Sequence, residues 1–387
     1  MSYQIGIIGM GQRMAEVFGR LIHLHECELA AVADPNTEGV KTRMRDILGW
    51  DEQKINSVRF YSEAGAMLES EELDGVMIGT RCSMHAALAS TIIDREIPMF
   101  LEKPIAISPD GLAEIENALI RHPEMNDKTV VSFPLRLTEQ VQMVREIVDS
   151  GKIGTVEHVQ AVNDVPYGRV YFHGWYRDEK ETGGLWLQKA THDFDYINSI
   201  LRIQPVEICA VTSKQIFKGN HPAGKLCDAC EEKQTCPESY ISVHRSGEYL
   251  YGPWCCFAED TGNEDSGSAI IRYETGMHVV YSQNFFARKG AGLRGARFLG
   301  YDGTVEFDFQ SGDVRVYMHH VCRTETYHFN VKDGHGGGDE ELCRNFADVV
   351  AGRALSRSSL RDGILSVNVC LAAKESSDKH QFVKIRG

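Results

Sequence analysis

The first hundred residues alternate short apolar runs with stretches of helical periodicity. Ile5, Ile7 and Ile8 form a β-rich run that stops at Gly9-Met10-Gly11. Met14, Val17, Phe18, Leu21 and Ile22 then recur at intervals of three and four, which predicts an amphipathic helix. Residues 29–33 read as a buried strand ending at Asp34, and further strands are expected at 58–61, 75–79 and 98–101, with a helix at 85–94. Strand and helix alternation of this kind specifies an α/β Rossmann-type domain built on a doubly wound parallel sheet.

The pattern changes after residue 122. A loop at 122–128 leads to a crossing strand at 130–136 and a helix at 139–150 that stops at Gly151. Alternating segments follow at 156–162, 207–213, 267–273, 277–284, 296–301, 304–309, 314–318 and 325–331. They predict one large open sheet in an α+β domain, with helices at 340–350 and 359–377 closing the chain. The expected domains are therefore 1–122 and 123–387, as suits a chain of 387 residues. An open sheet leaves a face for another subunit, so a homo-oligomer formed through the second-domain sheet is expected.

Composition narrows the picture. With 42% hydrophobic and 25% charged residues the chain reads as an ordinary soluble protein. A net charge of −14 argues against nucleic acid as a partner. No apolar run reaches the ~18 residues of a membrane span, and the opening residues run directly into a strand, so a cytoplasmic protein without a membrane partner is expected. Eleven cysteines are then expected as free thiols or metal ligands.

Chemistry enters at the first βαβ unit. Gly9 and Gly11 would let backbone approach a pyrophosphate at the helix N-terminus opened by Gln12, Arg13 and Met14, and Asp34 would accept from a ribose hydroxyl. Met14 stands at the third glycine position, so Ala15 must supply the small side chain. Asp34 favours NAD; NADP stays open because Lys41 and Arg43 are not far away. Two later strand ends carry Thr80 to His85 and Glu102-Lys103-Pro104, where ligands of such sheets bind.

Glu-Lys-Pro at a strand end, downstream of a Gly-x-Gly turn, resembles the Gfo/Idh/MocA family of sugar and polyol oxidoreductases. The resemblance implies that Lys103 lies beside nicotinamide and substrate, that Glu102 lies near the cofactor ribose, and that the second sheet is mainly antiparallel. Thr80 and His85 match the family's Thr-Pro-Asn-x-x-His segment, whereas Arg81 and Cys82 depart from it. The stretch from Gly183 to Asp195 places Gln188, Lys189, His192 and Asp195 at helical spacings, and it resembles the family's glycine-led active-site helix. His192 matches the active-site histidine, but Gln188 stands where relatives often place an acid.

Proton handling is therefore expected from Lys103 and His192. Gln188 and Lys189 are expected to meet a carbohydrate-like substrate, together with His173, Trp175 and Arg177 of an aromatic cluster and His335 of a glycine loop. The implied activity is NAD(P)-dependent hydride transfer at a CH–OH group. Two alternatives stay open: a glycosidase or lyase that recycles its NAD, and a non-catalytic dinucleotide sensor. In an insertion at about 218–258, Cys227, Cys230 and Cys236 have the spacing of a small metal loop, with Cys255-Cys256 as a source of a fourth sulfur. Structural zinc and free thiols both fit this pattern.

Overall fold

A computed structural model of the chain describes residues 2–24, 26–245, 252–330 and 333–386. The chain divides into two compact units, residues 1–139 with 332–367 and residues 140–331 with 368–387.

Unit 1 is built on six strands: β1 (Tyr3–Ile8), β2 (Cys27–Ala33), β3 (Arg59–Tyr61), β4 (Gly75–Ile78), β5 (Met99–Leu101) and β6 (Thr129–Val131). Their order is β3-β2-β1-β4-β5-β6 and every pairing is parallel. Covered on both faces, the central strands need unbroken apolar sequence, and all residues of β4 and β5 are buried. The helix Gln12–Ile22 buries Met14, Ala15, Val17, Phe18 and Leu21. Room for the bulky Met14 comes from Gly79 as well as Ala15: a Cβ at Gly79 would lie 2.8 Å from Met14 Cβ.

The sequence-based boundary near 122 is displaced in two ways. The expected crossing strand at 130–136 is only β6 followed by a 3-10 turn, Pro134–Leu137. Proline has no N–H to continue the ladder, and β6 pairs with β5 as the sixth parallel strand. Residues 332–367 also return to unit 1. Their helix Gly338–Val350 buries Leu342, Cys343 and Phe346 in the core that holds Val17, Phe18 and Phe100. Phe346 meets Phe100 edge-on at 5.8 Å between ring centroids. The periodicity shows that this helix has an apolar face, but not which sheet receives it.

Unit 2 holds β7 (Val156–Asp164), β8 (Pro205–Ser213), β9 (Ser266–Tyr273), β10 (His278–Asn284), β11 (Leu293–Gly300), β12 (Gly303–Asp308), β13 (Asp313–Met318), β14 (Thr324–His328) and β15 (Val383–Lys384). They form a nine-stranded sheet in the order β14-β13-β12-β11-β7-β10-β9-β8-β15. Only the β10–β7 pairing is parallel. Strict alternation of buried and exposed residues along β9 marks a sheet covered on one side. The helix Thr191–Leu201 supplies cover, with Phe194 against Tyr281 of β10 at 5.1 Å and Tyr196 against Phe307 of β12 at 5.6 Å. Val331, the end of the expected strand 325–331, lies outside the described residues, as do residues 246–251 of the expected insertion. Among the described residues no helix is long and apolar enough to cross a membrane.

Candidate active site

At the carboxyl ends of the parallel strands, Gly9 turns the chain with φ +78°, and a Cβ there would lie 2.8 Å from the Thr80 backbone. Gly11 is the N-cap of the helix Gln12–Ile22, and a Cβ on it would meet nothing within 4 Å. No side chain caps this helix and its first turn carries no acid, whereas Asn36 and Ser108 cap the helices Thr37–Asp46 and Pro109–Arg121. The amides of Gln12, Arg13 and Met14 thus open a helix end that attracts anions. Asp34 Oδ2 accepts from Met10 N–H at 3.1 Å and Oδ1 from Asn36 N–H at 2.8 Å, which aims the carboxylate at the glycine turn. Arg43 Nε donates to the Met10 carbonyl at 2.7 Å from the other side. Glycine turn, uncapped helix end and acid at the end of β2 are together the fit a dinucleotide requires.

The next two strand ends are joined by His85. Its Nδ1 lies 2.7 Å from the Pro104 carbonyl and its Nε2 lies 3.3 Å from the Thr80 carbonyl. Burial holds this imidazole below its ordinary pKa, against the carbonyl hydrogen bonds that favour the charged form. His85 is 1% exposed and braces the Thr80 segment against the Lys103–Pro104 segment. Lys103 is partly exposed directly beyond Glu102. Glu102 is buried, accepts from Ser132 Oγ at 3.1 Å, and faces Arg13 Nε at 3.3 Å.

The Arg13 side chain has a second duty. It pairs bidentately with Asp339, at 2.9 and 2.5 Å, and His335 Nδ1 lies 3.1 Å from the same carboxylate. Burial alone would raise the Asp339 pKa, but these two partners hold it well below the usual carboxylate range. Gly337 caps the helix Gly338–Val350, and Asp339 in its first turn binds Arg13. His335 therefore belongs to unit 1, in a cluster that ties the glycine loop after residue 332 to the dinucleotide helix.

In unit 2, Gly183 (φ +75°) ends the short helix Glu179–Thr182, and Gly184 (φ +95°) starts the turn into the next segment. That segment is a π-helical turn, Trp186–Ala190, which passes into the α-helix at Thr191. Such wide turns shift the helical phase and recur at functional sites. Gln188, Lys189, His192 and Asp195 are all buried. Gln188 N–H donates to the Gly184 carbonyl at 3.0 Å. Lys189 Nζ contacts Tyr167 Oη and lies 4.6 Å from the centroid of its ring. Burial, and then the positive charge of Arg294, push the Lys189 pKa well below its ordinary value.

Sequence reading missed the group beneath these residues. Asp193, fully buried, accepts from Arg294 Nε at 2.8 Å, Asn163 Nδ2 at 2.7 Å and Tyr281 Oη at 3.0 Å. Asp193 is adjacent to His192, but nothing in sequence points to its partner Arg294, 101 positions away. The aromatic cluster divides. Tyr171 and Phe172 belong to an apolar core with Phe217 and Phe285, and Trp175 stacks on Tyr176 at 4.0 Å. Arg177 binds Asp260 at 3.1 and 2.6 Å and Thr261 at 3.0 Å. His173 faces a cavity lined by the cysteines of the insertion, and burial pushes its pKa down to about 4. Tyr167 meets the stretch from Gly183 to Asp195 through Lys189.

Comparison with known proteins matches this geometry. Residues 3–126 match the model of an oxidoreductase family with an NAD-binding Rossmann fold, and residues 141–306 match a GFO/IDH/MocA C-terminal domain. Inositol 2-dehydrogenase of Rhizobium meliloti is 25% identical over 253 residues, covering 65% of this chain and 71% of the relative. The uncharacterized oxidoreductase YrbE of Bacillus subtilis is 23% identical over 383 residues, 97% of this chain and 95% of its own. A levoglucosan dehydrogenase in complex with NADH and levoglucosan superposes with a TM-score of 0.77 at 16% identity, over 100% of both chains. Myo-inositol 2-dehydrogenase from Lactobacillus plantarum does so with a TM-score of 0.71 at 17% identity, also over 100% of both. With an uncapped glycine turn and Asp34 in one unit, a glycine-led polar helix on an open sheet in the other, and both family models matched, the chain belongs to the Gfo/Idh/MocA oxidoreductase family.

Proposed function

We propose that the protein is an NAD-dependent dehydrogenase that moves a hydride between nicotinamide and a CH–OH carbon of a sugar, polyol or sugar derivative. The observation that carries this reading is the glycine turn, where an uncapped helix end, an open flank at Gly11 and the Asp34 carboxylate come together. NAD, when bound, supplies the hydride acceptor. Asp34 favours NAD over NADP because a 2′-phosphate would face a carboxylate, and Arg43 is already engaged by the Met10 carbonyl.

The remaining work falls to side chains. Lys103, at the end of β5, is the proposed acid–base group, and His192 shares or takes the hydroxyl proton. Lys189 joins them on structural grounds: a buried amine with a depressed pKa loses its proton more readily, and Tyr167 provides a hydrogen-bonding route. Gln188 cannot take a proton, so its place in the site is to orient substrate. Relatives named for inositol and levoglucosan oxidation support a cyclic polyol or anhydrosugar as substrate. Association through the second sheet is part of the same proposal. On the exposed side of β8–β10, Val211, Ile270 and Val280 stand out to solvent, with Ile270 directly opposite Val280.

The test is a screen of purified protein with NAD and with NADP against inositols, anhydrosugars, aldoses and glycosides, read by NADH absorbance and product analysis. Stoichiometric NADH with an oxidised, otherwise intact product is expected. Cleavage of a glycoside without net NADH would replace this reading with redox-recycling elimination. Tight NAD binding with no turnover on any of these substrates would favour a sensor.

A further inference from the structure

Five of the eleven cysteines fall between residues 227 and 256, and all five are free thiols lining one small cavity. Backbone pairing brings two of them to the same side. Leu226 and Trp254 form an antiparallel bridge, flanked by hydrogen bonds from Cys227 N–H to the Pro253 carbonyl at 2.8 Å and from Cys255 N–H to the Lys225 carbonyl at 2.9 Å. Side chains alternate along extended chain, so Cys227 and Cys255 share the face opposite Leu226 and Trp254. That face is the inner one: Leu226 is exposed, whereas Cys227 and Cys255 are buried. Two more cysteines arrive by tight turns. Cys230 N–H donates to the Cys227 carbonyl at 3.1 Å, closing a Cys-x-x-Cys turn, and Cys236 N–H donates to the Glu232 carbonyl at 2.8 Å.

These four sulfurs form one electrostatic group. Cys227 interacts with Cys230, Cys236 and Cys255, Cys255 with Cys230 and Cys236, and Cys236 with Cys230, so every pair among the four is coupled. Burial opposes ionisation of Cys227, Cys236 and Cys255; against it, backbone N–H groups of Tyr240, of Glu238 and Ser239, and of Phe257 hydrogen-bond the three sulfurs in turn. Donors aimed at a sulfur favour its thiolate, and buried anions of one sign require a cation among them. The fifth cysteine belongs elsewhere. Cys256 feels Glu238 more than any sulfur, packs into the apolar cluster with Phe172 and Phe217, and lies within 4.8 Å of the ligand atoms of His173 and Glu238. That trio does not suit a metal, because Arg169 and Arg288 hold Glu238 at 2.8 and 3.2 Å and a cation there would face two guanidinium groups.

We propose that Cys227, Cys230, Cys236 and Cys255 are the four ligands of a structural zinc ion. A closed set of four thiolates, opened by a Cys-x-x-Cys pair, is a structural zinc shell. Its residual negative charge is met by two ammonium groups, since Lys233 lines the same cavity and the charge of Lys225 favours the Cys255 thiolate. The ion has a clear task. Among the described residues the insertion from 218 to 258 contains no named strand and only the short helices Cys227–Ala229 and Tyr240–Arg245. Zinc ties the first part of this insertion, which carries three ligands, to its return at Cys255.

The experiment uses the full-length protein from cells supplied with both zinc and iron, with metals quantified and zinc X-ray absorption recorded. About one zinc per chain is expected, with four sulfur scatterers at about 2.3 Å and no nitrogen in the shell. Cys227→Ser and Cys255→Ser should each weaken zinc binding by more than the ~10-fold that loss of a supporting contact costs, whereas Cys256→Ser and His173→Gln should keep the metal. Removing zinc with a chelator should expose the 218–258 insertion to protease. Far less than one zinc per chain, stoichiometric iron in its place, or a shell containing a nitrogen would each overturn the assignment. So would retention of zinc in Cys255→Ser with loss in Cys256→Ser, or an unchanged cleavage pattern once zinc is gone. If the variants fail to fold, the absorption spectrum of the unmodified protein decides.

Discussion

Replacing Arg294 by methionine tests how the core of unit 2 holds the polar helix. Arg294 is the cationic partner of Asp193, whose side chain is 0% exposed against 12% for Arg294. The substitution keeps most of the side-chain volume but leaves a carboxylate bound only by Asn163 and Tyr281. Breaking a buried pair from one side costs about 3–5 kcal/mol, and the two remaining neutral donors put the expected loss near the lower end. A loss of about 3 kcal/mol is roughly a hundredfold in the folding equilibrium. Three of the four tryptophans, Trp175, Trp186 and Trp254, lie in unit 2, so urea unfolding followed by tryptophan fluorescence reports mainly on that unit. The double variant Asp193→Leu/Arg294→Met removes both charges and should be more stable than Arg294→Met alone, giving a large coupling in the double-mutant cycle. A loss below ~0.5 kcal/mol in Arg294→Met, within the range of ordinary surface changes, would refute the idea that this pair is an energetically closed unit.

Lys103→Met and His192→Ala are each expected to lower turnover by at least ~100-fold while NAD affinity is retained; near-normal rates in both would remove them from proton handling. Lys189→Met should lose activity yet gain stability, because burial lowers the folded-state pKa of Lys189 below its unfolded value. The penalty is full below the folded pKa and disappears as pH rises to the unfolded value near ~10.4, so the gap between variant and wild type should close as alkaline pH is approached. A constant gap across that range would contradict the assignment. The depressed pKa of His85 acts at the acid end. Its folded state resists protonation, so stability should fall as pH drops below ~6.5, and His85→Gln should flatten that part of the pH–stability curve.

Much of unit 1 was legible because its signals are local. The run at Ile5 to Ile8, the turn at Gly9 and Gly11 and the acid at Asp34 are contiguous or nearly so, and a βαβ unit permits few other arrangements. The bulk of Met14 was visible as a departure, but its accommodation by Gly79 depends on packing between elements. His85 matched a motif position, and only its two carbonyl neighbours show that it braces the site. In unit 2, Gln188, Lys189 and His192 were readable as polar residues at helical spacing. The π-helical turn that sets their phase was not, since periodicity does not distinguish a wide turn from an α-helical one. His173 and Arg177 had suitable chemistry for substrate, but the fold turned them toward the cysteine cavity and Asp260.

What the sequence determined by itself was the alternation of strands and helices, the glycine turn with its acid, the presence of a second sheet and the chemistry available near Lys103 and His192. These follow from periods of two and three to four residues and from backbone freedoms that glycine and proline alter locally. Tertiary structure alone decided that residues 332–367 return to the parallel sheet, that Arg13 binds Asp339, that Arg294 neutralises Asp193, and that His173 faces five thiols. Each joins positions tens to hundreds of residues apart. Their pairing depends on which buried charges and apolar faces must be satisfied once the chain is compact, a condition that no local pattern carries.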